Sequence, residues 1–262
     1  MYNSMSAENW FHEQIEKTQI VVMAGGKAKR MAIDIPKCLL EISGKKLIDM
    51  CIESLTKEGF RDFVFLLGHK HETVAEYIGN CRYNISSRFS IDPPRVSGWG
   101  KGKAFKYALV NEKIDGSKRS IVVFPDDIIL EEKIFSKFLL NHVEAIQKHS
   151  VSASVLLVPG AEYPYAVADV GSGGLVNEFT EKPFLNKPTS AGVYIFEPDV
   201  YDIIRENISI DDPSPVDLES TIMPRLVANS KLSSFFIPTN KWMPINTIKE
   251  YENAIKVFSR EK

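Results

Sequence analysis

Short apolar runs alternate with helical stretches along this chain, and that alternation limits the fold more than any other feature. The runs are rich in β-branched residues, as in buried parallel strands, and the helical stretches have a period of about 3.6 residues. In the first half of the chain, strands are predicted at residues 19–23, 62–67, 89–92 and 120–124. Helices are predicted at residues 47–58, 72–78, 103–109 and 133–149. The pattern is typical of an α/β domain, with a Rossmann-like, doubly wound, nucleotide-binding half.

The second half of the chain has a different pattern. A glycine-rich turn at residues 171–174 joins two apolar runs, so this half is expected to be antiparallel in part, which makes the whole sheet mixed. Strands are predicted at residues 151–158, 166–170, 175–179, 191–196 and 232–237. Helices are predicted at residues 199–206, 218–228 and 248–259, with an extra one within 1–18. We interpret the chain as an N-terminal extension, 1–18, and a single domain, 19–262, with halves at 19–150 and 151–262.

The overall charge and the cysteines exclude several classes of protein. Lys and Arg number 32 against 34 Asp and Glu, so the net charge of -2 argues against nucleic acid as a partner. Cys38, Cys51 and Cys81 have no CxxC spacing, which disfavours a disulfide framework and a zinc site. No apolar run approaches the roughly 20 residues of a membrane helix, and the N-terminal residues lack a signal-peptide core. A cytoplasmic protein that does not bind membranes is expected.

A glycine-containing basic loop follows directly on the first predicted strand. Its pair Gly25-Gly26 allows a tight turn whose amide groups face an anion. Lys27, Lys29 and Arg30 then place three cations in one short segment, which a triphosphate would match. The alternative interpretation of the loop alone is a solvated surface turn.

A second segment, Pro36-Lys37-Cys38-Leu39-Leu40, comes after a short loop, and its proline-fixed lysine is expected to point back toward the glycine turn. Together AGGKAKRM and IPKCLLEISGKKLID resemble the N-terminal signature of sugar-phosphate nucleotidyltransferases, usually AGGxGTRL followed by PKxLLxxxGKPLI. Later segments keep the family's order: GKGKAF at 100–105, FPDD at 124–127, EFTEKP at 178–183, SAGVY at 190–194 and WMPINT at 242–247. The resemblance spans most of the chain and implies the GT-A-like fold of that family.

The resemblance also implies a reaction and a set of site residues. An oxygen of a sugar 1-phosphate would join the α-phosphorus of a nucleoside triphosphate (NTP), and pyrophosphate would leave, with Mg²⁺ as the cofactor. The implied catalytic residues are Arg30, Lys37 and Asp126. The implied nucleotide-binding residues are Ala24, Gly25, Gly26, Lys27, Gly100, Lys101 and Gly102, and Arg95 is added as a donor to base carbonyls. The implied sugar-binding residues are Ala166, Glu181, Lys182, Ser190 and Gly192, and the implied metal ligands are Asp126 and Asn246.

Charge explains why such a site needs cations. Two unit charges 4 Å apart at an effective dielectric of 20 repel by about 4 kcal/mol, and both substrates are anions. Arg30 is expected at the triphosphate and Lys37 at the α-phosphate, with Mg²⁺ on Asp126 bridging the two partners. A phosphomonoester has a second pKa of about 6, so the attacking group needs no general base, and no histidine is assigned a catalytic role.

Several positions depart from the family pattern. Ala28-Lys29 stand where Gly and Thr or Ser are usual, while Lys101 and Ser190 replace residues of the base and sugar segments. Pro244 stands where many members have a second metal-binding aspartate, and we expect Asn246 to take over, as asparagine does in N-acetylglucosamine-1-phosphate uridylyltransferases.

Simpler interpretations stay open at this stage. Asp126 and Asn246 are each suited to capping a helix, and Glu181-Lys182 to an exposed salt bridge worth under about 1 kcal/mol. Two other functions also remain: nucleotidyl transfer to a cofactor-precursor phosphate of the cobinamide or molybdopterin type, and a weakly active homologue that binds nucleotide sugar and regulates a partner. The sequence leaves open the base, the sugar and the oligomeric state, a homo-oligomer included.

Overall fold

Helices and strands alternate through the chain, as the computed structural model of the protein shows for residues 7–27, 34–81, 83–93 and 99–260. The helices are α1 Ala7–Glu16, α2 Leu47–Lys57, α3 His71–Asn80, α4 Lys101–Val110, α5 Ile134–His149, α6 Pro198–Asn207, α7 Leu218–Thr221, α8 Met223–Ala228 and α9 Ile248–Arg260. The strands are β1 Thr18–Met23, β2 Glu41–Ile42, β3 Lys45–Lys46, β4 Asp62–Leu67, β5 Ser86–Ile91, β6 Arg119–Val123, β7 Asp127–Ile129, β8 Ala153–Val158, β9 Ala161–Glu162, β10 Val167–Val170, β11 Val176–Thr180, β12 Phe184–Leu185, β13 Thr189–Phe196, β14 Leu232–Phe236 and β15 Trp242–Pro244.

The predicted elements are present, but two of them need correction. The helix predicted at 218–228 is divided into α7 and α8, because Pro224 at the start of α8 has no amide hydrogen with which to continue the hydrogen-bond ladder. The extra helix predicted within 1–18 is α1, which ends at Glu16, and Thr18 already belongs to β1. None of the helices in the described part of the chain has the length and apolar character needed to cross a bilayer.

Seven of the described strands form one sheet in the order β14-β8-β13-β6-β1-β4-β5. β1 is parallel to both β4 and β6, and β4 is parallel to β5. β13 runs antiparallel between β6 and β8, and β14 is parallel to β8. The expected mixed sheet is therefore confirmed. Strands from both halves share this sheet, whereas the proposed domain boundaries stay a prediction.

Helices cover both faces of the sheet. Successive residues of a strand point to opposite faces, so β1 is buried on both sides and reads as one continuous apolar run. Ile20 and Val22 pack in a core with residues of α2, α3 and α5. Val21 and Met23 pack in a second core with residues of α4, α6, α7 and α8. This two-sided packing fixes the carboxyl ends of the strands, where the loops of interest begin.

The strand order reverses beside β1. The chain continues from β1 to β4 and β5 on one side, whereas β6 lies on the other side. In doubly wound sheets, ligands bind in the crevice beyond the carboxyl ends of the strands at such a reversal. The segments that follow β1 and β6 meet at this position.

Candidate functional site

A cleft of about 1110 Å³ opens at the carboxyl edge of the sheet, at the reversal beside β1. It is lined by the loops after β1, β4, β5 and β6, by the start of α4 and by part of β13. Most of the residues predicted for the site line it together: Ala24, Gly25, Gly26, Lys27, Lys37, Gly100, Lys101, Asp126, Ser190, Gly192 and Asn246. The structure thus brings these eleven predicted residues into one cavity.

Backbone contacts hold Lys37 against the glycine turn. Pro36 forms an isolated antiparallel bridge with Lys27, and the Lys37 amide donates to the Gly26 carbonyl at 3.1 Å. A short 3-10 helix, Lys37–Leu39, then turns the chain away. The prediction that the proline-fixed lysine points back to the first loop is consistent with this arrangement.

A small antiparallel ladder brings Asn246 to Asp126. β15 pairs with β7, with Trp242 opposite Ile129 and Pro244 opposite Asp127. The ladder continues into a hydrogen bond at 2.8 Å from the Ile245 amide to the Asp126 carbonyl. Asn246 therefore lies next to Asp126, although β15 and β7 are far apart in sequence.

The start of α9 shows that Asn246 is not its cap. Thr247 and Glu250 form a capping box, in which the Glu250 amide donates to Thr247 Oγ1 at 3.2 Å. Glu250 Oε2 accepts the amide hydrogens of Asn246 at 2.7 Å and of Thr247 at 2.8 Å. The helix terminus is thus satisfied by other groups, and the Asn246 side chain is free to face the cleft.

One ammonium group joins the two predicted metal ligands. Lys37 Nζ donates to Asn246 Oδ1 at 2.9 Å and also to Asp126 Oδ2. The Lys37 and Asp126 side chains are largely buried, with 16% and 23% of their surface exposed. Because two oxygens from distant segments converge on one positive charge, this position favours a cation.

The neighbouring carboxylate, Asp127, is half-buried in the cleft wall and has a structural role. Trp242 Nε1 donates to Asp127 Oδ1 at 3.0 Å. Gly192 has a φ of +75° and approaches so closely that a Cβ atom there would lie 2.2 Å from Asp127 Oδ2. Burial raises the pKa of Asp127 to about 7, and the negative charge of Asp126 adds to the shift. The Asp127 side chain thus contacts Trp242 of β15 and packs closely against Gly192 of β13.

The glycine pair after β1 works differently from the prediction of a tight turn. Neither Gly25 nor Gly26 has a positive φ. A Cβ on Gly25 would lie 3.1 Å from the Gly68 amide nitrogen, so this glycine permits a close approach of two backbone loops. A Cβ on Gly26 would have no neighbour within 4 Å, so this residue opens onto the cleft.

The start of α4 is tied to the segment before α7. The Lys101 amide donates to Asp217 Oδ1 at 3.1 Å, and the Gly102 amide donates to the Val216 carbonyl at 2.8 Å. Gly100, with a φ of +80°, leaves no room for a Cβ beside Val216. These first amide groups are already satisfied, and Gly102 is not among the residues that line the cleft.

Two lysines of α4 differ in their surroundings. Lys101 lines the cleft and forms an ion pair with Glu219. Lys103 is fully buried, and its Nζ donates to the Asp212 carbonyl. Lys103 therefore serves the packing of the loop at residues 208–217.

Three of the predicted sugar-binding residues lie outside the cleft lining. Ala166, Glu181 and Lys182 flank the hairpin of β10 and β11, whose strands pair only with each other among the described strands. Glu181 and Lys182 are exposed and form an ion pair at 3.5 Å with each other. The hairpin is not part of the central sheet, so nothing in the sheet holds these residues beside Ser190 and Gly192. Arg30, Arg95 and Ala28-Lys29 lie outside the described residues.

The sequence reasoning missed cleft residues that the structure reveals. Asp92, Asp217 and Glu219 line the cleft but were not predicted to do so. Asp92 follows β5, a parallel strand of the same sheet, so the rule that ligands bind at carboxyl ends of strands would have found it. Glu219 carried no such signal, because it reaches the cleft from a short helix after a long loop.

The chain is similar in sequence to curated mannose-1-phosphate guanyltransferases. It is 24% identical over 238 residues to mannose-1-phosphate guanyltransferase 2 of Candida glabrata, covering 88% of this chain and 62% of that protein. It is 25% identical over 245 residues to mannose-1-phosphate guanyltransferase of Saccharomyces cerevisiae, covering 91% of this chain and 64% of that protein. The chain thus spans less than two thirds of the length of these curated relatives.

A solved structure shows the fold of this chain, and a family model shows its family. A solved structure from Bacillus anthracis, described as a candidate glucose-1-phosphate thymidylyltransferase in complex with a sucrose, matches with a TM-score of 0.69 and 18% identity, covering 92% of this chain and 94% of that one. This match confirms the fold implied by the sequence motifs. The profile described as "Nucleotidyl transferase" matches residues 19–260. The chain therefore belongs to the nucleotidyl transferase family.

Proposed function

We propose that this protein transfers a nucleotidyl group from an NTP to a sugar 1-phosphate, giving a nucleotide sugar and pyrophosphate. The observation that carries the proposal is the convergence of Lys37, Asp126 and Asn246 in one cleft beside the glycine turn. The family and the named activities of the curated relatives support it. The relatives also make GTP and a hexose 1-phosphate the first substrates to test.

The reaction needs positioning and charge neutralisation. An oxygen of the sugar phosphate attacks the α-phosphorus of the NTP, and the bond from that phosphorus to the β-phosphate oxygen breaks. Pyrophosphate carries away the electron pair, and the attacking group, with a second pKa of about 6, has already lost its proton at neutral pH. Catalysis then rests on bringing two anions together in line.

Lys37 is suited to stabilise the α-phosphate. Its ammonium already faces the centre of the cleft, and its backbone is fixed to the glycine turn. We assign Arg30 to the triphosphate on the motif alone. Ala24, Gly25, Gly26 and Lys27 would contact the nucleotide from the loop after β1.

Asp126 and Asn246 would hold Mg²⁺. A carboxylate and an amide oxygen are ligands that this ion accepts, and both oxygens face the Lys37 ammonium. The fit rests on this observation, since a position that already attracts one cation offers the right charge for another. When bound, the metal would neutralise charge on the phosphates and orient them, as Mg²⁺ does in nucleotidyl transfer. Lys37 would then donate to phosphate oxygens instead.

Ser190 and Gly192, which belong to β13 and line the cleft, would contact the sugar. We propose that Glu181, Lys182 and Ala166 contact the sugar phosphate after the β10–β11 hairpin moves toward the cleft. We further propose that the protein acts in the cytoplasm, in keeping with its unpaired cysteines.

The test is pyrophosphate release. The protein is incubated with Mg²⁺, each NTP in turn and a panel of hexose, heptose and amino-sugar 1-phosphates, with cobinamide phosphate as a non-sugar acceptor. Asp126→Ala should reduce turnover by about 10²- to 10³-fold. Asp202→Ala, which removes an exposed carboxylate paired with Arg205 on α6, is the matched control and should keep full activity.

Two results would overturn the proposal. Turnover with the non-sugar acceptor alone would establish a different transferase. Nucleotide-sugar binding by calorimetry, with no turnover for any pair and no effect of Asp126→Ala, would establish a binding protein instead.

A further inference from the structure

Asp92 is a carboxylate in the cleft wall that has no partner among the described residues. It follows β5 directly and is partly buried. Its backbone amide donates to the Leu67 carbonyl at 2.9 Å, but no hydrogen bond or ion pair between described residues involves its carboxylate. A half-buried carboxylate without a partner is costly to keep ionised, and its place in the cleft wall favours a ligand that donates hydrogen bonds to it.

Among the described residues, the backbone of two glycines lies close to the Asp92 carboxylate. A Cβ on Gly68 would lie 2.9 Å from Asp92 Oδ2, and one on Gly25 would lie 3.6 Å away, so two glycines leave the space that the carboxylate occupies. His69 and Lys70, the basic residues of the loop after β4 that line the cleft, pair with Asp34 at 2.9 and 2.8 Å. Burial raises the pKa of Asp92 to about 7. When ionised, the Asp92 carboxylate offers two acceptor oxygens that the described residues leave unused.

The sheet order sets the distance from Asp92 to the phosphate centre. Asp126 follows β6 and Asp92 follows β5, and β1 and β4 lie between these strands. Three strand spacings amount to about 14 Å. That separation places Asp92 too far from Asp126 to share a metal ion, and beyond the ribose of a nucleotide whose α-phosphate lies at Lys37. The distance suits the base at the far end of an extended nucleotide.

We propose that Asp92 selects guanine as the base of the nucleotide substrate. The Watson–Crick edge of guanine has two adjacent donors, N1–H and the 2-amino group, which match the two oxygens of one carboxylate. Uracil, thymine and hypoxanthine have a single N–H donor on that edge, flanked by a carbonyl on at least one side. Adenine and cytosine place a ring-nitrogen acceptor beside the amino group, and that acceptor would face a carboxylate oxygen.

This inference rests on the proposed function, since it requires that the cleft binds a nucleotide. Its test is therefore made on binding alone. Calorimetry without any sugar phosphate compares GTP with ITP, which differs only by the absence of the 2-amino group, and includes ATP and UTP. The wild-type protein should bind GTP at least tenfold more tightly than ITP, because a site built to accept a donor rejects the ligand that lacks it.

The substitution Asp92→Asn removes the carboxylate but keeps the size of the side chain. An amide presents one donor and one acceptor, so the GTP to ITP preference should fall to about one, and UTP binding should strengthen. Asp92→Glu keeps the carboxylate and should retain the preference at weaker affinity, which also covers the case in which Asp92→Asn does not fold. Asp202→Asn is the control and should bind as the wild type does.

The outcomes separate the two proposals. Equal binding of GTP and ITP by the wild type, or an unchanged ratio in Asp92→Asn, would overturn the role of Asp92 even if pyrophosphate release is observed. A GTP preference that depends on Asp92, without turnover on any sugar phosphate, would keep this inference and overturn the proposed reaction. Failure of every nucleotide to bind would overturn both.

Discussion

The ammonium of Lys37 lies 2.9 Å from the amide oxygen of Asn246, which is 209 positions later in the chain. The same ammonium pairs with Asp126, 89 positions away. Three segments that are remote in sequence therefore supply one cation and two oxygens to a single point in the cleft.

Replacement of Lys37 by alanine should lower kcat by about 10²- to 10³-fold, because the α-phosphate loses its nearest positive charge. Lys37→Arg should restore only part of the rate, since a planar guanidinium cannot occupy the place of an ammonium between two oxygens. Steady-state pyrophosphate release measures both. Lys45→Ala, at an exposed lysine paired with Glu53 at 2.7 Å, is the control. A kcat of Lys37→Ala within a factor of two of the wild type would contradict the role.

Replacement of Asn246 by aspartate should tighten the binding of Mg²⁺, because a second carboxylate joins Asp126 at the same point. The Mg²⁺ concentration at half-maximal rate should therefore fall, and in Asn246→Ala it should rise. Titration of the rate with MgCl₂ gives both values. An unchanged midpoint in the two variants would remove Asn246 from the metal site.

Replacement of Gly192 by alanine should destabilise the protein, because the new Cβ would meet Asp127 Oδ2 at 2.2 Å and the φ of +75° is unfavourable for alanine. The backbone conformation alone costs about 1 to 2 kcal/mol. Gly26→Ala is the matched comparison, because its Cβ would have no neighbour within 4 Å, and its effect on stability should stay within about 0.5 kcal/mol. Urea denaturation measures both, and equal losses would contradict the packing described for Gly192.

The pH dependence of stability should carry the signature of Asp92. Burial raises the pKa of Asp92 to about 7, against about 3.9 in an unfolded chain. The folded state therefore binds more protons between pH 4 and pH 7, and the stability from this group is present at low pH and lost as the pH rises through 7. The Tm of the wild type relative to Asp92→Asn should accordingly fall from pH 5 to pH 8 without nucleotide. A difference in Tm that is constant over this range would show that the Asp92 pKa is normal.

Local patterns were sufficient to predict the sheet. β1 and β6 are buried on both faces, so each reads as an unbroken apolar run, and the alternation of such runs with helices indicates a doubly wound sheet. The glycine turn and the Pro36-Lys37 pair were also predictable, because each is set by a few adjacent residues. The contact between them depends on only one short loop.

Long-range contacts were harder to predict. β7 and β15 have three residues each, too few for a periodic pattern, yet their pairing is what brings Asn246 to Asp126. Lys103 gives no sign in the sequence that it is buried, since its partner is a backbone carbonyl in a distant loop. The position of the β10–β11 hairpin depends on contacts outside the central sheet, so the sequence left open whether Glu181 and Lys182 contact the sugar or form the exposed ion pair seen in the structure.

The β7–β15 ladder also bears on how the protein is made. Ribosomes release the glycine turn, Lys37 and Asp126 well before Trp242 and the residues that follow it. A polypeptide cut short ahead of β15 would carry most of the cleft but lack the Ile245 amide that holds the Asp126 turn and the oxygen that Asn246 adds. A stop codon just ahead of the codon for Trp242 would therefore leave the nucleotide-side strands encoded in full while removing this amide and this oxygen from the cleft.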